Sequence, residues 1–240
     1  MDLDHVALAT TDARAALSVL IGDWGAVELF GGLSFGFRPM QVRLGRAGMR
    51  LELLEPWETE RNDFLARFLA KHGDGPHHIT FKVKDLASDI DRLAGLGYEL
   101  VGVFLDNPWW KEAFFRPKDA HGTVVQLSQS AHDDPNEVGD EVRDHLVRWW
   151  APVPDRGAPV VTLRRVVVGS PDVDATTAFF TEILAGRVEA RHEGRVDLMW
   201  PGGGRIGIVH RPGPGGIDHL ECESSLPAAD HILAGATFRW

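Results

Sequence analysis

The chain has 240 residues, 44 % of them hydrophobic and 25 % charged, with a formal net charge of −10. That is a globular composition, long enough to bury a sizeable core as one large domain or two smaller ones. It lacks the basic footprint of a nucleic-acid binder, and no apolar run approaches the roughly 18 residues of a membrane span. A single cysteine, Cys222, rules out an intrachain disulfide, so a metal site must draw on histidine, carboxylate or amide oxygen. The N-terminal MDLDHVALAT lacks the basic and long apolar regions of a signal peptide, and a soluble cytoplasmic protein is expected.

Taken in chain order, one plan recurs. LDHVALATTDARAALSVLIG reads as a strand, a Thr11 or Asp12 cap, and a helix with Ala13, Ala16, Leu17 and Leu20 on one face. The strand-like segments FGFRPMQVRLG and MRLELLEP follow. HHITFKVKDLASDIDRLAGLGYEL repeats the plan, with Asp85 as cap, Leu86, Ile90 and Leu93 inward, and Gly95 or Gly97 near the stop. Its strands are YELVGVFL, EAFFRPKD and GTVVQLSQ. After the polar stretch from Ser130 to Val160, with a helix predicted to end at Trp149–Trp150, LRRVVVGSPDVDATTAFFTEILAG is a third copy capped by Asp172 or Asp174. IDHLECESSLPAADHILAGATF is a weaker fourth, cut short after one further strand.

The predicted fold is therefore α+β, built of tandem βαβββ modules that form cupped mixed sheets. The expected division is 1–130 (modules 1–56 and 77–130), a linker at 131–160, and a degenerate, truncated pair at 161–240.

The repeat aligns chemistry as well as structure. His5 falls opposite His78, 73 residues on, and Glu52 opposite Gln126, 74 residues on. Strand alternation groups His5 with Ala7 and Ala9, and His78 with Thr80 and Lys82. Two imidazoles, a carboxylate and an amide oxygen suit one divalent ion of the Co, Ni, Fe, Mn or Zn type, with positions left for water or substrate. In the second half Arg165 takes the place of His5, Gly207 that of Glu52, and only His219 is kept, so no metal is expected there.

At these residues the sequence resembles the vicinal-oxygen-chelate superfamily of glyoxalases, bleomycin-resistance proteins and extradiol dioxygenases. Its N-terminal half is most similar to methylmalonyl-CoA epimerase, through LDHVALAT, ELLEP, GPHHITFKV and FFRPKDAHGTVVQL. The resemblance implies a metal that chelates two neighbouring oxygens of a small acid or acyl-CoA, and an isomerase or lyase reaction through an enolate. The family's last metal position is usually Glu and here is Gln126; LSFGFRPMQVRLG, where a second base would sit, has no carboxylate. Glu52 is left as the candidate catalytic group.

Arg38, Trp109, Phe115 and Lys118 are candidate substrate contacts, with Trp110, Phe114 and Arg116 beside them, while His77 points away from His78. Two other readings stand beside the isomerase. One is a ring-cleaving non-haem Fe(II) dioxygenase; the other is a small-molecule binding or resistance protein without chemistry. A homodimer is possible; membrane and nucleic-acid partners are not expected.

Overall fold

The structure is a computed structural model that describes residues 1–130, 147–154, 156–157 and 160–240. Most of the predicted linker helix falls on 131–146, outside the described residues. No helix among them is long and apolar enough to cross a membrane.

Among the described residues, fifteen strands form two mixed sheets. The first contains β1 (Asp2–Ala9), β2 (Val27–Gly31), β3 (Gly36–Arg43), β4 (Arg50–Trp57), β5 (Gly75–Lys82), β6 (Val101–Phe104), β7 (Trp110–Phe115) and β8 (Val124–Ser130). Their order is β2-β3-β4-β1-β5-β8-β7-β6. The second contains β9 (Thr162–Ser170), β10 (Arg187–His192), β11 (Arg195–Met199), β12 (Arg205–His210), β13 (Gly216–Glu223), β14 (Asp230–Leu233) and β15 (Ala236–Arg239), in the order β10-β11-β12-β9-β13-β15-β14. Both sheets mix antiparallel hairpins with parallel pairs, β5 with β8 and β9 with β12. The architecture is glyoxalase-like, two modules to a sheet.

The helices start where the sequence places caps. Asp12 accepts from Ala15 N at 2.9 Å and opens α1 (Ala13–Leu17). Asp85 accepts from Ser88 N at 3.1 Å and opens α3 (Leu86–Gly95), with Gly97 just beyond at φ 88°. Asp172 accepts from Ala175 N at 2.9 Å and opens α4 (Val173–Ala178). Each such carboxylate satisfies an orphan N–H of the first turn, worth about 1 kcal/mol. Both α1 and α4 run on into a π-helical turn, Ser18–Asp23 and Phe179–Ile183. Phe179 and Phe180, at the start of the second of these turns, are both buried.

Two elements depart from expectation. A helix not anticipated between the first two modules, α2 (Phe64–His72), buries Leu65 and Leu69. In the fourth module the predicted helix is absent: residues 224–229 form bends and DHILAGATF makes the hairpin β14–β15. Its two-residue turn, Ala234 and Gly235, takes φ 46° and 68°, the left-handed pair that matches strand twist. A Cβ on Gly235 would lie 1.7 Å from the carbonyl oxygen of Asp74, so the backbone itself needs glycine there.

By contacts the chain resolves into two compact units. The first comprises Met1–His5, His78–Asp133 and Arg165–His219. Its interior is aromatic: Phe81 meets Trp200 at 5.2 Å between centroids, and Phe179 meets Phe115 and Phe180 at 5.4 Å each. Burial of each such ring contributes roughly 1.5–3 kcal/mol, and edge-to-face geometry adds to it. The second unit comprises Val6–His77, Asp134–Arg164 and Leu220–Trp240. There Trp24 meets Phe238 at 4.9 Å and Trp240 at 5.3 Å, and Ala7, Ala9, Leu54, Leu65 and Leu69 make a separate cluster.

Candidate metal centre

The site is set by strand alternation. On β1, His5 shares its face with Ala7 and Ala9, the residues that pack on Leu65 and Leu69 of α2. On β4, Glu52 shares its face with Leu54 of the same cluster. Helix α2 thus covers the apolar continuation of the face that carries His5 and Glu52. Parallel pairing of β5 with β8 sets Thr80 beside Gln126 and His78 beside Val124.

His5 is 1 % exposed, His78 4 %, Gln126 6 % and Glu52 9 %. An ionisable group at such depth must have partners or coordinate an ion. Among the described residues, His5, Glu52 and His78 form one group of side chains that can hold a metal, their ligand atoms all lying within 4.8 Å of one another. The His5 and His78 rings are edge to face at 5.9 Å between centroids. Asp4 Oδ2 lies 2.7 Å from His5 Nδ1. A carboxylate accepting from Nδ1–H selects the tautomer whose Nε2 carries the lone pair, the outer arrangement typical of metal-bound imidazoles. Gln41 Nε2 donates to Glu52 Oε1 at 3.1 Å, across the β3–β4 register that pairs the two residues. The donor set fits a divalent ion of the Zn, Fe, Co, Ni or Mn kind.

Gln126 is held from both ends. The Thr80 hydroxyl donates to its Oε1 at 2.6 Å, and its Nε2 donates to Glu112 Oε2 at 2.8 Å. The Thr80 oxygen also lies 2.9 Å from His5 Nε2. Glu112, on β7, additionally accepts from Trp110 Nε1 at 2.8 Å, and Lys82 Nζ stands 4.8 Å from the Trp110 ring centroid. Sequence reasoning passed over Glu112 because its part follows only from the β7–β8 pairing. The one available signal was its alternation with Trp110 and Phe114 in WKEAFF.

The remaining candidates fall elsewhere. Phe115, expected at a substrate mouth, is 1 % exposed and packs on Tyr98 and Phe179; alternation puts Phe114 on the site side instead, 6.1 Å from the His78 ring. Arg38, expected on the site face, is three residues from Gln41 along a regular strand and so faces the other way. It pairs with Glu55 and stacks 4.1 Å over Trp149 and 5.1 Å over Trp57. Lys118 is exposed on a short helical turn, 3.2 Å from Asp119. Trp109 is half-buried, its backbone N–H donating to Asn107 Oδ1 at 2.8 Å. His77 meets Phe68 at 4.7 Å and Phe64 at 6.0 Å, and burial pushes its pKa down to about 4.

Fold and donor group together define a glyoxalase-like protein with a buried His–Glu–His cluster. Residues 4–114 match the model of the Glyoxalase/Bleomycin resistance protein/Dioxygenase superfamily, and the N-terminal part of the chain carries a domain of that superfamily. The uncharacterized protein YqjC of Bacillus subtilis is 29 % identical over 138 residues, 56 % of this chain and 96 % of that protein. A hypothetical protein from Staphylococcus aureus shares the fold over 99 % of this chain and 98 % of its own, at 11 % identity and a TM-score of 0.66. Methylmalonyl-CoA epimerase from Mycobacterium tuberculosis is similar over 55 % of this chain and 89 % of its own, at 25 % identity and a TM-score of 0.49.

Proposed function

We propose that residues 1–130 form a divalent-metal-dependent isomerase or lyase domain acting on a small acid or acyl-CoA through an enolate. The observation that carries this reading is the buried group His5, Glu52 and His78. The proposed ligands are these three with Gln126 Oε1 as a fourth.

A bound divalent ion would supply Lewis acidity, polarising a carbonyl and stabilising the negative charge that grows when the adjacent carbon loses its proton. Asp4 holds His5 in its ligating tautomer. Gln41 fixes the Glu52 carboxylate by holding Oε1, and Glu52 is the group that takes the proton: the α C–H bond breaks, its electron pair passes onto the adjacent carbonyl oxygen as the enolate, and return of a proton to the α-carbon re-forms the bond. The apolar cluster under α2 keeps bulk water from that end of the face.

The test joins metal analysis to exchange in deuterated water. Purified or reconstituted protein is expected to hold about one divalent ion per chain and to wash deuterium into the α-carbon of acyl-CoA thioesters. Protein that takes up no stoichiometric metal after reconstitution overturns the reading. Two histidines with one carboxylate are also the ligand types of non-haem Fe(II) oxygenases. Oxygen uptake with catechols in the presence of Fe(II), and no α-carbon exchange, would favour that second activity.

A further inference from the structure

The hydrogen bonds around Gln126 decide which end of its amide faces the histidines. Glu112 is acceptor-only when ionised, and two N–H donors converge on its Oε2, Trp110 Nε1 and Gln126 Nε2, each at 2.8 Å. The NH2 end of Gln126 is therefore drawn toward β7. Its Oε1 is turned toward β5, where the Thr80 hydroxyl donates at 2.6 Å. Thr80 has a single hydroxyl hydrogen. Committed to Gln126, that hydrogen is not spent on His5 Nε2, which lies 2.9 Å from the same oxygen. On the far side of the ring Nδ1 donates to Asp4. A carboxylate thus stands at each end of the set, Glu112 beyond Gln126 and Asp4 beyond His5.

That direction is not intrinsic to glutamine, whose two amide ends are nearly the same size. Reversed, Oε1 would face the Glu112 carboxylate at hydrogen-bond distance, oxygen against oxygen. The NH2 group would then point at Thr80, whose oxygen would accept and whose hydrogen would swing to His5 Nε2, occupying the lone pair an ion needs. Only an acceptor at position 112 prevents the reversal.

We propose that Glu112 is a positioning residue that locks the Gln126 amide with its oxygen toward His5, and so keeps Gln126 Oε1 and His5 Nε2 both competent to bind a divalent cation. The proposal rests on the metal reading above and deepens it by assigning the residue that orients the fourth ligand. It also explains how an amide can serve at that ligand position: a carboxylate there presents an oxygen either way round, whereas an amide needs a partner that fixes its sense.

The experiment is a Co²⁺ titration of the metal-free full chain, followed by calorimetry and the visible absorption of the bound ion. It uses Glu112→Leu, Gln126→Glu and the double variant, with circular dichroism to confirm folding. Glu112→Gln would not serve, because both donors meet one oxygen that a glutamine carbonyl could replace. Glu112→Leu fills the space but removes the acceptor, and is expected to weaken Co²⁺ binding about 10- to 100-fold, the range for outer partners of metal ligands, and to alter the Co²⁺ spectrum. In the Gln126→Glu background the same change should cost no more than about twofold. Should Glu112→Leu not fold, Glu112→Met removes the acceptor with a more pliant side chain and carries the same expectation. Unchanged Co²⁺ affinity in the single variant, or an equal loss in both backgrounds, overturns the proposal while the metal reading stands. Wild-type protein that binds no divalent cation overturns the metal reading, and this proposal with it.

Discussion

Strands β5 and β13 hold corresponding places in the two sheets, yet their surroundings have diverged. Around β5 stand His78, His5 and Glu52, a set of donors that can hold a cation. Around β13 the histidine persists: His219 is buried and its Nδ1 lies 2.8 Å from Asp218 Oδ2, as His5 does with Asp4. The counterpart of His5, however, is Arg165, whose guanidinium lies 3.4 Å from Asp197 and 3.3 Å from Glu189. Arg195 reaches the same Asp197 at 2.8 Å and Arg205 the same Glu189 at 3.1 Å. The counterpart of Glu52 is Gly207, where a Cβ would fall 2.9 Å from Arg165 Cδ. The second sheet carries its positive charge covalently, and glycine makes room for it. The first offers donors to a mobile ion instead. Where the first sheet has a ligand cluster, Arg165 joins Asp197, Glu189, Arg195 and Arg205 in an ion-pair network.

The contrast can be broken at several points. The largest effect should come from His78→Ala, which is expected to weaken divalent-metal binding by more than the roughly 100-fold attached to outer partners, read by calorimetry. His219→Ala in the second sheet should leave metal content unchanged.

The pH dependence of stability should sharpen the same comparison at β5. The folded-state pKa of His77 is lowered to about 4 from the ordinary 6.5, first by desolvation among Phe64 and Phe68 and against the opposing pull of Glu52. The unfolded chain then binds more protons between these values. The contribution is fully present above pH 6.5 and is lost as pH falls toward 4, an effect of about 2–3 kcal/mol. Urea midpoints measured from pH 7 to pH 4.5 should fall with acid, and His77→Phe should flatten the decline.

In the second sheet, Gly207→Ala should cost about 1–3 kcal/mol in urea unfolding by overpacking Arg165. Combined with Arg165→Ala, which removes the Cδ it meets, the two changes should be less than additive. The smallest effect is kinetic. Burial raises the Cys222 thiol to about 12, so the folded chain at pH 8 should resist iodoacetamide and react once denatured.

Much of the fold was legible because its signals are local. Asp12, Asp85 and Asp172 each precede an apolar pattern of helical period and all three cap; the sequence left Thr11 open beside Asp12 and Asp174 beside Asp172, and the structure selects between them. The histidines and their spacing were legible because a repeat makes two copies comparable. The fourth module was misread because ADHILAG carries helix-forming residues, while the pairing of β14 with β15 and the close approach of Asp74 to Gly235 are tertiary facts. Phe115 and Arg38 were candidate substrate contacts; strand parity turns them from the face that carries Gln126 and Gln41. Glu112 was invisible because its significance lies in a partner fourteen residues on, across the β7–β8 hairpin.

The turn at Gly235 also bears on which sequences can populate this fold. Two constraints coincide there, a left-handed φ of 68° and a backbone oxygen 1.7 Å from any Cβ. Gly97 shares only the first, with φ 88° and no atom within 4 Å of a Cβ. A saturation library selected for folding should therefore return glycine alone at position 235, and glycine with an admixture of asparagine and aspartate at position 97.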